Sequence, residues 1–154
     1  MNRNSTNEIA EQLYTLSIGD GEYTFTGAKL GFGTSRRGSH INHHPNTFAP
    51  PGTRCSGCRW TDTTIYWSSS DSKYIIHIVG RSLAPGERDK IRTAWADNAD
   101  AVLDGLLISP PRHVRSSQGD TALELPQPNA DALQEAAEHD PDLAAVFRAW
   151  NRGD

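Results

Sequence analysis

The chain alternates between β-forming runs and turn-rich breaks over its first half and turns helical towards its end. "LYTLSI" and "EYTFTG" flank "GDG" and predict a hairpin, because Asp-Gly reaches the positive φ of a tight turn cheaply. Upstream, Ser5 and Glu8 have capping-box spacing ahead of Ile9 and Leu13, which allows a short helical turn at most before the hairpin. Residues 27–54 hold no period of 2 or 3.6 for long and read as one extended loop.

Beyond that loop, "RWTDTTIYWSS" and "KYIIHIVGRS" are β-branched and aromatic, joined by a polar "SSDS" turn. The second is apolar on both faces from Tyr74 to Val79 except at His77, as a central buried strand should be. "PGERDKIRTAWADNADAVLDGLL" then places Ile91, Ala94, Trp95, Val102, Leu103, Leu106 and Leu107 at helical spacings. Pro85 suits its first turn, Ser82 reads as a cap, and "ADNAD" divides it, with Asp97 or Asn98 capping the second piece. After the break "SPPRHVRSSQGD" come one or two short helices, the first capped by Asn129, the second opened by Asp140-Pro141. Leu143, Val146, Phe147 and Trp150 form a one-sided stripe fit to dock on the domain's own core.

These elements predict an α+β fold: a small antiparallel sheet with a zinc knuckle and a long His-rich loop, followed by C-terminal helices. Residues 1–128 are expected to form the zinc-stabilised domain, with 129–154 an acidic helical segment packed on it. A length of 154 residues suits one core, and 36% hydrophobic residues with a mean hydropathy of -0.61 are polar but globular. No apolar run reaches the ~18 residues of a membrane span, and the polar "MNRNSTNEIAEQ" lacks a signal-peptide core. The expectation is therefore a cytoplasmic protein with no membrane contact, whose two cysteines are more suited to metal or redox chemistry than to a disulfide.

Those cysteines carry the main chemical signal. "SHINHHPNTFAPPGTRCSGCRW" gathers three of the six histidines and both cysteines in a stretch with no acidic residue. Cys55-x2-Cys58 puts two thiolates on one turn, where both reach a tetrahedral ion. His40 with His44 completes a four-ligand zinc site; His43 is an alternate for either, and His77 an outside candidate. A thioredoxin-like pair would open a helix, whereas here strand-forming sequence follows. A hydrolytic zinc needs an open position and a nearby general base. Residues 23–61 hold no carboxylate, HExxH is absent, and Asp62 is the nearest acid, so a closed structural site leads over a metal-dependent hydrolase or nuclease.

Charge adds a partner class. Residues 23–61 carry five basic side chains (Lys29, Arg36, Arg37, Arg54, Arg59) and no acid, while residues 120–154 carry eight acids against two arginines. Phe32, Phe48 and Trp60 lie among the cations, a pattern suited to phosphate contact and base stacking, with Arg36, Arg37, Arg54, Arg59 and Trp60 the candidate contacts. The competing reading is a positive loop that balances the acidic tail. Between Arg81-Ser82 and "PGER" there is also a weak anion-site pattern at a helix start, without a phosphate-loop glycine series.

"GTRCSGCRW" followed by "YIIHIVGRS" and "PGE", residues 52–87, resembles uncharacterised small proteins of actinobacteria and their phages. The resemblance implies a setting, not a reaction. The leading functional expectation is a non-enzymatic zinc-binding interaction module, a phage-encoded regulator in the implied setting, with nucleic acid or a host protein as its partner.

Overall fold

Ile18 N–H donates to Gly21 O at 3.0 Å and Gly19 takes a φ of 99°, closing the first hairpin between β1 (Gln12–Ser17) and β2 (Glu22–Thr34). The computed structural model describes residues 9–36, 59–83, 86–107 and 125–152. Three further strands follow: β3 (Arg59–Ser68), β4 (Lys73–Ser82) and β5 (Lys90–Ala96). All five pair antiparallel in sequence order, so the sheet is a meander with β3 at its centre. Helices α1 (Ala99–Leu106), α2 (Gln127–Ala137) and α3 (Pro141–Arg152) complete an α+β architecture.

The sheet curls. His77 Nε2 on β4 lies 2.8 Å from the Ser17 carbonyl on β1, although β2 and β3 separate those strands in the sheet order. Likewise Tyr23 on β2 meets Trp95 on β5 edge to face at 5.3 Å. This closes a small aromatic cluster on one face, where Tyr14, Phe25 and Tyr66 pack mutually around Leu16 and Ile75. The other face carries the main core. Ile65 and Ile76 from the sheet meet Val102, Leu106, Leu133 and Leu143 from the three helices, each no more than 1% exposed. Burial of a side chain of this size contributes about 1.5–3 kcal/mol.

The structure revises the expected loop at 27–54, since β2 continues as strand to Thr34. A bulge between Lys29 and Gly31 shifts the register, after which Gly31 and Gly33 lie beneath α2. A Cβ on Gly31 would stand 2.1 Å from Ala132 O, and one on Gly33 1.9 Å from Pro128 O. Glycine here lets a helix backbone lie directly on a strand, so no side-chain periodicity marks the segment.

The helix expected from Pro85 is also revised. Lys90–Ala96 is the edge strand β5, and Ser82 caps no helix; its hydroxyl donates to Glu87 Oε1 at 2.7 Å. Ile91, Thr93 and Trp95 fit a period of 2 as well as parts of a helical stripe, and pairing with β4 decides between them. The helix begins only at Ala99, where Asn98 accepts from Ala101 N at 2.8 Å, as its capping position predicts.

Asn129 is not the cap of α2. Pro126 occupies that position, and Asn129, 2% exposed, lies inside the helix. Its Oδ1 accepts from the Thr63 hydroxyl at 2.5 Å and its Nδ2 donates to Leu106 O at 2.8 Å, tying the sheet, α1 and α2 together. The boundary expected at 128/129 falls within α2. Asp140 caps α3 as expected, accepting from Asp142 N and Leu143 N, and it also accepts from Tyr74 Oη at 2.7 Å. Leu143, Val146 and Phe147 of the expected stripe turn to the core.

Candidate functional site

The His/Cys sequence is the connection between β2 and β3. His40, His43, His44, Cys55 and Cys58, with Arg37 and Arg54, lie outside the described residues. What the structure gives is the stem that carries them. Ser35 N–H donates to Thr61 O at 2.9 Å, and Thr61 N–H returns a bond to Ser35 Oγ at 2.7 Å. Arg36 N–H donates to Thr34 Oγ1 at 3.0 Å, and its guanidinium lies 5.0 Å from the Trp60 ring centre. Cys58 immediately precedes Arg59, the first residue of β3. Both arms of the connection thus leave from paired strands, the rigid base that a knuckle at Cys55 and Cys58 requires.

Two of the arginines around this stem are already paired with carboxylates. Arg59 grips Glu87 with two parallel bonds, Nε to Oε1 at 2.9 Å and Nη2 to Oε2. That clasp, with the Ser82 hydroxyl, holds the Glu87 carboxyl at about 2, well below its ordinary 4.5. Arg81 donates from Nε to Asp62 at 2.5 Å and from Nη1 to Asp89 at 3.2 Å. Lys29 lies over Phe32 at 4.9 Å from the ring centre. The five cations of residues 23–61 therefore do not act as one unopposed block, since Glu87 answers Arg59 from beyond the end of β4.

Asp62, the base required by a hydrolytic alternative, has its carboxylate engaged by Arg81, with its side chain only 15% exposed. His77 sits mid-strand on β4 with Nε2 committed to Ser17 O. Among the described residues no group of three or more His, Cys, Asp and Glu is arranged to hold a metal. His77 and Asp62 thus form no metal-holding group with the other described residues, while the remaining candidate ligands lie in the β2–β3 connection outside them.

Glu87, Arg88, Asp89 and Lys90 are members of the stem region that sequence reasoning misses. Their signal is the run "GERDK", whose charges alternate in sign shortly after a strand. A helical reading of that run assigns its carboxylates to the helix dipole, whereas in the fold they answer arginines on neighbouring strands. No helix among the described residues is long and apolar enough to cross a membrane. Compared with protein-family models, curated proteins and solved structures, the chain gives no match.

Proposed function

We propose that this protein is a non-enzymatic interaction module whose β2–β3 connection folds around one zinc ion. Cys55 and Cys58 supply two ligands, and His40 and His44 the others, with His43 able to replace either. The observation that supports this reading is the hydrogen-bonded stem at Ser35 and Thr61, which holds both arms of the ligand-bearing segment together. Closing a chain of this length costs entropy, and strand pairing has already met that cost when the ion arrives. The donor set, two thiolates and two imidazoles, suits a closed tetrahedral zinc. The engagement of Asp62 by Arg81 weighs against hydrolysis and for a structural ion. The partner is a nucleic acid or a protein, and a cytoplasmic regulatory role belongs to the same proposal.

Elemental analysis of the purified full chain tests it. One zinc per chain is expected, with none in Cys55→Ser or Cys58→Ser. Zinc retained when His40, His43 and His44 are all changed to Ala would overturn the ligand set.

A further inference from the structure

Beside the loop stem, the end of the sheet opens into two adjoining hollows. One, of about 330 Å³, is lined by Arg59, Trp60, Arg81, Ser82, Arg88 and Lys90. The other, of about 500 Å³, is lined by Ile78, Lys90, Ile91, Arg92, Pro126 and Pro128. Ser35, Thr61, Gly80 and Lys90 border both, so the two form one groove. Its size is that of a small-molecule site.

The groove has two chemically distinct ends. Around the first, four cations (Arg59, Arg81, Arg88, Lys90) meet three carboxylates (Glu87, Asp62, Asp89), which leaves one positive charge over, and Arg92 on the second hollow adds another. The pairs account for Arg59 and Arg81. Among the described residues, neither Arg88 nor Lys90 has a carboxylate within ion-pair distance. Arg92 is steadied by its bond to Gly105 O at 2.7 Å. The hydroxyls of Ser35 and Thr61 add hydrogen-bonding capacity along the same wall. At the second end Ile78, Ile91 and Pro126 present apolar surface, with Pro128 buried behind them. The positive end of α2, which Pro126 opens without a side-chain cap, borders this region and reinforces the field.

A cationic rim joined to an apolar slot matches a ligand with a doubly charged head and a flat or greasy body. We propose that the groove binds a phosphate monoester on a planar group: a mononucleotide, or the 5′-phosphorylated end of a single strand. The phosphate lies between Lys90 and Arg88, and the planar group against Pro126 and the isoleucines. All of these residues lie outside the His/Cys connection, so the proposal does not depend on zinc, and its failure would leave the metal reading intact.

The test is calorimetric titration of the full chain at low salt with AMP, inorganic phosphate, and 5′-phosphorylated and 5′-hydroxyl oligothymidylate. AMP is expected to bind more tightly than inorganic phosphate. Lys90→Gln should weaken it about tenfold, the size of one lost charge-assisted hydrogen bond. Arg148→Gln, which removes the same charge from the exposed side of α3, should leave it unchanged. Arg88→Gln replaces Lys90→Gln should the latter not fold. A preference for the phosphorylated over the hydroxyl strand, beyond AMP, assigns the strand end; AMP binding without it assigns the free nucleotide. The proposal is overturned by no binding of AMP or the phosphorylated strand, by equal weakening in the Lys90 and Arg148 variants, or by inorganic phosphate binding as tightly as AMP.

Discussion

Asn129 shows how one buried amide joins three elements. Its two bonds leave neither the Thr63 hydroxyl nor the Leu106 carbonyl unpaired in an otherwise apolar layer. Asn129→Ala would strand both, at about 1–3 kcal/mol. Urea unfolding should show that loss as a lower midpoint with an unchanged slope. Gly33 has the opposite vulnerability, since any side chain there meets the Pro128 carbonyl. Gly33→Ala should cost about 1–3 kcal/mol as overpacking, and an unaltered midpoint would mean that α2 does not lie where described. Glu87 is the clearest titrating residue. Its carboxyl is depressed in the folded chain, so the Arg59 clasp is present above the ordinary range near 4.5 and is lost as pH falls towards about 2. A carboxyl-carbon NMR titration should find its midpoint near 2, returning towards 4.5 in Arg59→Gln. An unshifted wild-type midpoint would remove the clasp from the stem.

The elements are legible where side chains speak for themselves and obscure where a backbone does. β1, β3 and β4, the Asn98 cap and the Asp140 cap follow from local pattern, because their residues meet neighbours close in sequence or alternate cleanly between two faces. The second half of β2 does not, because its glycines are chosen by α2, which lies far downstream in the chain. β5 is hidden by an ambiguity of period that only pairing with β4 resolves. At the candidate site, the His/Cys spacing and the strand that follows it are readable. The carboxylates that answer Arg59 and Arg81 are not, since strand pairing brings them in from elsewhere. The same division predicts the effect of removing metal. Among the described residues, strands and helices on both sides of the His/Cys segment already share one packed core. Unlike an isolated zinc finger, the chelated protein should keep its far-UV circular dichroism and lose protection mainly at the stem amides of Ser35 and Thr61. Hydrogen exchange checks this: global unfolding on chelation would show that the metal holds the whole fold, and unchanged stem protection after complete removal would deny it a structural role.

At the scale of the whole molecule, the charge asymmetry has to be read on the folded surface. The acidic end is not a detachable tail. Leu133 and Leu143, both fully buried, belong to the core, so a chain ended after Pro128 should fail to fold cooperatively and cannot serve as a test of charge. Glu135 and Glu138 lie on the outer side of that end, where they can be changed without touching the core. If nucleic acid is the partner, Glu135→Gln with Glu138→Gln should tighten binding at low salt by removing competing negative charge. Changing Arg36 and Arg37 to Gln should weaken binding and flatten the slope of affinity against salt by about one unit for each phosphate no longer neutralised. Arg59→Gln should do less, because Glu87 already compensates Arg59 and the change releases fewer counterions. A protein partner would show a shallow salt slope and depend more on Trp60, which carries both the apolar area and the Arg36 contact at the stem. Titrating labelled single- and double-stranded DNA and RNA at two salt concentrations, beside Trp60→Ala, separates the two. Absence of binding to all four at low salt would end the nucleic-acid alternative and leave a protein partner at the loop stem.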